Sequence, residues 1–238
     1  MKPVYIVSWL FALAVSFVSC DDWLDKTPKD RLYPDVYFKT EDELRLFTNQ
    51  FYNNLVPSAV DIYSESSDLI VKSDLMLEMS GQRIIPDEGN GWNFTALRDI
   101  NFYLQYSHNC TEVNARNRYD GVARFFRAYF YFEKVKRYGD IPWYDKALDS
   151  DDPELYKARD SREFVMQKML EDLDFAIANL PKTKNAYVLT RWTALALKSR
   201  VCLFEGTFRK YHGLEDCEKY LNACVSASET FMNESGYT

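Results

Sequence analysis

The pair of side chains best suited to hold a ligand is Trp92 and Asn101. Trp92 follows the glycine-rich turn 89–91, and we expect it to begin a helix that also carries Asn101. A flat indole ring stacks on the apolar C–H face of a sugar, and a primary amide offers donors and an acceptor to hydroxyl groups. The alternative is structural: a tryptophan packed at a helix start, and an asparagine that caps a neighbouring loop.

A second chemically distinctive position is Cys20, which stands at an abrupt change of composition. An uncharged, apolar stretch (4–18) precedes it and the acidic run 21–25 follows. The stretch is shorter than the roughly 18 to 20 apolar residues that cross a bilayer, and it has the pattern of a secretory signal peptide. The Ser19-Cys20 junction resembles the lipobox of bacterial lipoproteins, with Phe17 in place of the usual leucine. We expect residues 1–19 to be a signal peptide and Cys20 to carry lipid; an ordinary signal peptide with a chance cysteine is the alternative.

The residue types that catalysis needs do not come together in the sequence. The two histidines, His108 and His212, have no nucleophile or cluster of metal ligands beside them. Asp172 and Asp174 could suggest the acid pair of a glycoside hydrolase, but two positions apart on a helix they point to different faces. We therefore expect a protein that is not an enzyme and that holds no metal or cofactor.

The four cysteines after Cys20 are expected to form neither a metal cluster nor a disulfide. They form no CxxC pair, which argues against a metal cluster. Cys217 and Cys224 are two helical turns apart, about 10 Å between Cα atoms, which is too far for a disulfide. Buried free thiols are the expectation for these positions: Cys110, Cys202, Cys217 and Cys224.

Composition narrows the class of partner. The chain has 238 residues, with 29 Lys and Arg against 36 Asp and Glu, so its net charge of −7 disfavours nucleic acid and anionic membrane surfaces. Aromatic residues make up 16% of the sequence. Most of these rings fall at helical spacing and are expected in the core, although a surplus of Tyr and Trp is also typical of proteins that stack on sugars.

Helices are predicted through nearly all of the remaining sequence. Residues 20–39 are expected to be a tether, and Thr40 and Glu43 form a capping box that opens a helix ending before Pro57. An irregular segment, 58–91, follows. Apolar periodicity then predicts helices starting near residues 92, 114, 160, 191 and 214, the third opened by an Asp160–Glu163 capping box. Successive hairpins of this kind indicate an all-α, tetratricopeptide-like repeat domain over residues 40–238.

The helix predicted over 114–138 carries Arg124, Arg127 and Lys134 on a polar face. A solvated or intramolecularly paired face is the expectation, rather than a patch for a partner.

Long collinear blocks resemble the SusD/RagB family of outer-membrane lipoproteins of Bacteroidetes. The matching blocks are the mature start CDDWLD (20–25), GVARFFRAYFYFEKVKRYGDIP (121–142), RDSR (159–162), LEDLD (170–174) and ALALKSRV (194–201). Members of that family are roughly twice as long, so the resemblance implies an N-terminal portion of such a protein.

The resemblance implies a lipoprotein on the outer face of the outer membrane. Such proteins capture oligosaccharide and deliver it to a TonB-dependent (SusC-like) transporter, and Asp21 and Asp22 resemble their surface-export signal. Starch-binding members use a tryptophan and an asparagine in the neighbourhood that Trp92 and Asn101 occupy here. The alternative function is a helical scaffold that binds protein and has no sugar site.

Overall fold

The first helix begins where the capping box predicts. In the computed structural model, which describes residues 37–56, 80–82, 84 and 91–237, helix α1 spans Glu41–Leu55. The Thr40 hydroxyl accepts a hydrogen bond from the Glu43 amide (3.3 Å), and the Glu43 carboxylate accepts one from the Thr40 amide (3.2 Å). Each bond satisfies an amide that the first turn leaves without a partner, which fixes the start of the helix. The predicted signal peptide, Cys20 and nearly all of the irregular segment lie outside the described residues.

The next two helices are long and meet the predicted bounds closely. Helix α2 spans Thr95–Tyr106 and continues into a short 3-10 turn, and helix α3 spans Val113–Tyr138. Gly139 ends α3 with φ +70, a positive value that glycine adopts without steric cost. The prediction that Trp92 begins a helix was wrong by three residues, because Trp92 lies in the turn before α2.

The predicted Asp160–Glu163 capping box was wrong, because Asp160 has other partners. Helix α4 spans Arg162–Asn179, and the Ser161 hydroxyl caps it by accepting a hydrogen bond from the Phe164 amide (3.3 Å). The Asp160 carboxylate instead accepts a hydrogen bond from the Trp143 amide (2.7 Å) and pairs with Lys157 (2.9 Å). A tertiary contact therefore takes the residue that local sequence rules assign to the cap.

Two further helices complete the described chain. Helix α5 spans Arg191–Tyr211 and opens on a box formed by Thr190 and Thr193, and helix α6 spans Cys217–Glu234. From α3 onward each helix packs against the next in an antiparallel hairpin, while α1 and α2 pack against α3. The described residues from Phe38 onward form one compact unit, all-helical and without a strand, so the all-α prediction is confirmed.

Aromatic rings fill the junction of α1 and α2, as the spacing predicts. Phe38, Phe47 and Tyr103 lie with ring centroids 5.0 to 6.0 Å apart, and Phe51 joins them edge-on from α1. Edge-to-face contacts of this kind stabilise a core beyond the area that they bury. This packing holds the C-terminal half of α2 against α1.

The four cysteines of the described chain carry free thiols. Cys110 and Cys202 are buried, as predicted, and burial raises the pKa of the Cys202 thiol to about 12. Cys217 and Cys224 are only partly buried, so the prediction of burial was wrong for those two. Among the described helices, none combines the length and the apolar character that crossing a bilayer requires.

Candidate functional site

A cleft of about 480 Å³ lies between the start of α2 and the loop 139–160. Its wall combines aromatic rings with the long side chains of basic residues. The lining residues are Trp92, Phe94, Thr95, Leu97, Arg98, Asn101, Pro142, Tyr144, Lys146, Leu148, Leu155, Lys157 and Arg159. The structure thus brings Trp92 and Asn101, the two residues singled out from the sequence, to one concave site.

Trp92 stands at the edge of this cleft and remains 38% exposed. Its ring is held edge-to-face by Phe94 (centroids 5.2 Å apart) and by Tyr138 (4.9 Å). The Arg159 guanidinium lies 4.9 Å from the centroid of the indole, within the range of a cation–π contact. Trp92 is therefore positioned by aromatic neighbours without being enclosed by them.

The backbone conformation of Gly91 determines where the next residue, Trp92, is placed. Its φ of +88 is one that side chains other than glycine rarely adopt, and a Cβ there would lie 3.3 Å from the side chains of Arg137 and Tyr138. Lys134 donates a hydrogen bond to the Gly91 carbonyl. This contact, together with the absence of a side chain at Gly91, fixes Trp92 against the end of α3.

Asn101 lies behind the cleft and is only 1% exposed. Its amide nitrogen donates to the carbonyls of Tyr144 (2.8 Å) and Lys146 (3.2 Å). Its amide oxygen accepts from Arg127 (3.2 Å). The structural alternative, an asparagine that caps a neighbouring loop, is thus what the geometry shows. Direct contact of Asn101 with a ligand stays a prediction, and its evident role is to position the cleft wall.

Arg127 and Asp172 form a buried ion pair beneath Asn101. The guanidinium donates two hydrogen bonds to the two carboxylate oxygens, at 2.6 and 2.7 Å. Burial disfavours the charged guanidinium, yet the bonds to Asp172 outweigh it and raise the pKa of Arg127. Arg127 is therefore not on a solvated face of α3, although the expectation of intramolecular pairing is correct. Asp174 points elsewhere and pairs with Lys198, as the two-residue spacing predicts.

Tyr131 also holds the loop 139–160, which forms one wall of the cleft. Its hydroxyl accepts a hydrogen bond from the Tyr144 amide (2.6 Å) and donates to the Pro142 carbonyl (3.3 Å). The Trp143 ring stacks on Tyr131 with centroids 4.2 Å apart, and burial raises the pKa of Tyr131. The sequence analysis missed these loop residues. The one signal that could have found them is the cluster of aromatic residues directly after the proline that follows α3.

The part of the chain that the structure describes contains no group of three or more His, Cys, Asp or Glu side chains placed to hold an ion. His108 and His212 each hydrogen-bond to a backbone carbonyl of their own segment, at 2.9 and 2.7 Å. Neither histidine faces the cleft.

The sequence of this chain matches the model of a known protein family. Residues 51–191, more than half of the chain, match the SusD-like family described as starch-binding and associating with the outer membrane. The chain belongs to the SusD-like family. A SusD-like protein of Formosa agariphila is 24% identical over 226 residues, which cover 86% of this chain and 43% of that protein. A second from the same organism is 27% identical over 218 residues.

Solved structures of SusD-like proteins share this fold. One from Bacteroides fragilis superposes with a TM-score of 0.66 at 23% identity, over 90% of this chain and 42% of its own. A SusD homologue from Bacteroides thetaiotaomicron gives 0.63 at 18% identity, over 86% and 43%. A SusD-like carbohydrate-binding protein from Bacteroides vulgatus gives 0.58 at 15% identity, over 84% and 46%. The chain therefore spans less than half the length of the relatives that it matches.

Proposed function

We propose that this chain captures an oligosaccharide in the Trp92 cleft, as part of a surface lipoprotein that passes the sugar to a TonB-dependent transporter. The observation that carries the proposal is the Trp92 ring, partly exposed at the edge of a cleft whose rear wall is fixed. The cleft volume lies in the range of about 300 to 1,000 Å³ that is typical of small-molecule sites.

The chemistry of the cleft suits a sugar better than an apolar ligand. An exposed indole offers a flat stacking surface, and the adjoining basic side chains offer N–H donors to hydroxyl oxygens. The Bacteroides vulgatus neighbour is named as a carbohydrate-binding protein, and the family description names starch. Both support the transfer of a glycan-binding role to this chain. In this proposal the protein binds and releases its ligand and catalyses no reaction.

The anchoring part of the proposal rests on Cys20. Acyl chains attached there would hold the protein at the outer membrane, because each buried methylene contributes about 0.8 kcal/mol and two or more chains give stable attachment. Delivery to a SusC-like transporter follows from the family resemblance. Metabolic labelling with a palmitate analogue should mark the protein and leave Cys20→Ser unmarked; an unmarked wild type would contradict the anchor.

Glycan binding is tested by calorimetry on the purified chain and two variants. Starch and other neutral glucan oligosaccharides, together with acidic oligosaccharides, form the panel. Trp92→Ala should abolish the binding of whichever ligand the wild type takes. Tyr211→Ala is the matched control, because Tyr211 is an exposed aromatic residue (81%) that does not line the cleft. If the wild type binds no glycan, the protein-binding scaffold is the better account.

A further inference from the structure

The cleft is basic, although the protein as a whole is acidic. Four of its lining residues carry a positive charge, namely Arg98, Lys146, Lys157 and Arg159, and none carries a negative charge. The complete chain has a net charge of −7. Because the Debye length is about 8 Å at physiological ionic strength, a ligand in the cleft experiences these nearby cations more strongly than the distant acids.

The two lysines are neutralised by acids of their own loop. Lys146 pairs with Glu154 (2.9 Å) and Asp152 (3.6 Å). Lys157 pairs with Asp160 (2.9 Å) and also donates to the Trp143 carbonyl (2.6 Å). These lysines hold the loop together, and they leave little net charge for a ligand.

The two arginines differ, because within the described residues neither has a carboxylate partner. Arg98 donates through Nε to the Leu148 carbonyl (3.3 Å), which orients the guanidinium and leaves its two terminal nitrogens for a ligand. The neighbouring Asp99 forms no ion pair with it in the described structure, and burial raises the pKa of that carboxyl. Arg98 is thus a charged fork held at the cleft by a single backbone contact.

Arg159 places its charge beside the stacking surface. Its guanidinium lies over the Trp92 ring, 4.9 Å from the centroid. Because the guanidinium covers part of the indole, a sugar ring in contact with the exposed remainder would have its substituents next to this charge. Planar guanidinium groups bind carboxylate and sulfate oxygens through paired N–H donors, with stronger bonds than neutral groups provide.

We infer that the ligand is an acidic oligosaccharide, whose carboxylate or sulfate groups contact Arg98 and Arg159 while a sugar ring stacks on Trp92. This inference rests on the proposed function and narrows it to a substrate class. Carboxylate from a uronic acid and sulfate from a sulfate ester share the chemistry that the two arginines recognise.

Matched ligands separate the charge from the sugar backbone. Short oligogalacturonates are compared with their methyl esters, and carrageenan oligosaccharides with their desulfated forms, by calorimetry on the full chain. We expect removal of the charge to weaken binding of the preferred ligand about tenfold, which corresponds to about 1.4 kcal/mol. The first pair tests carboxylate and the second tests sulfate. Raising the salt concentration should weaken binding of the acidic form alone.

Charge variants test the two arginines directly. Arg98→Gln and Arg159→Gln should each reduce the preference for the acidic form about threefold to tenfold, given that both groups are solvent-exposed. Arg98→Lys should restore part of it by keeping the charge. Arg200→Gln removes one exposed charge from α5, outside the cleft, and should change nothing. Thermal unfolding of each variant checks that the fold is intact.

The outcomes distinguish this inference from the proposed function. Equal binding of the charged and neutral forms, both lost in Trp92→Ala, would leave glycan binding in place and overturn the acidic-ligand inference. Preference for the acidic form that survives both arginine substitutions would overturn the assignment to Arg98 and Arg159. Failure of the wild type to bind any oligosaccharide would overturn both proposals.

Discussion

Two buried carboxylates of this protein are clamped by arginine, and they serve different purposes. Asp172 is 2% exposed and pairs with Arg127 (2.6 Å) and, at a longer distance, with the partly exposed Arg124 (3.5 Å). Glu205 is completely buried and pairs with Arg162 (2.7 Å) and Arg209 (2.8 Å). The local chemistry is the same in both places. The two clusters differ in the further residue that the arginine contacts, which is Asn101 for Arg127 and Glu163 for Arg209.

The Asp172 cluster leads toward the cleft. Arg127 donates to Asn101, and Asn101 in turn holds the carbonyls of Tyr144 and Lys146 in the cleft wall. Three helices and one loop are joined through this chain of hydrogen bonds. The ion pair therefore helps to position the wall of the cleft.

The Glu205 cluster leads away from it. Arg209 also pairs with Glu163, which accepts a hydrogen bond from Tyr220 (3.2 Å), so the cluster ties α4, α5 and α6 together. None of its members lines the cleft. Burial of an ion pair therefore does not by itself mark a functional site; the residues to which its arginine is further hydrogen-bonded decide whether it supports one.

The largest expected effect is on stability, from Glu205→Ala. Removing the carboxylate leaves two arginines without their buried partner, which should lower the free energy of unfolding by about 3 to 5 kcal/mol. Urea denaturation measures the loss. Ligand affinity of the folded protein should stay unchanged, and a clear fall in affinity would contradict the separation of the two clusters.

Asp172→Ala should lower stability toward the lower end of the same range, about 3 kcal/mol, because only one of its two arginine partners, Arg127, is buried, while Arg124 is partly exposed to water. The ligand affinity should fall as well, because Arg127 would no longer be fixed in the position from which it donates to Asn101. Calorimetry below the unfolding temperature separates the two effects. Unchanged affinity would show that the ion pair does not support the cleft.

Asn101→Ala should cost about 1 to 3 kcal/mol of stability, because the Lys146 carbonyl and one buried N–H lose their partner and the Tyr144 carbonyl loses the shorter of two hydrogen bonds. The cleft wall should loosen and affinity should fall several-fold. Asn179→Ala is the matched control, since Asn179 makes a single hydrogen bond to Phe175 within its own helix (2.8 Å). If both variants keep full affinity, Asn101 is not a positioning residue.

Gly91→Ala should have the smallest effect on stability, about 1 to 2 kcal/mol, which is the cost of a left-handed residue with a side chain. Its effect on ligand affinity should be larger than this modest stability cost would produce, because the added methyl group meets Arg137 and Tyr138 and displaces Trp92. Gly213→Ala is a control with φ +65 and open space around it. Equal affinity in the two variants would contradict the role of Gly91.

The helices could be predicted from the sequence because their signals are local. Thr40 and Glu43 are three positions apart, and Gly139 directly ends α3, so neither needs knowledge of distant contacts. The cap of α4 was misassigned because Asp160 is drawn to the Trp143 amide, 17 positions earlier.

The cleft could be predicted only in part, because its wall is held by contacts between residues that are far apart in the sequence. Trp92 and Asn101 were singled out as candidates from their chemistry, but the carbonyls that Asn101 holds lie 43 and 45 positions away. Arg98 and Arg159 were not singled out as binding residues in the sequence, since an exposed arginine gives no such signal until the fold places it at a cleft.

The unequal burial of the tryptophans gives the cleft its own spectroscopic reporter. Of the three that the structure describes, Trp143 and Trp192 are buried, and only Trp92 exposes more than a third of its surface to water. A ligand that covers this indole should shift its fluorescence emission to shorter wavelength, while the enclosed rings emit as before. Occupancy can therefore be followed in dilute solution without any added label.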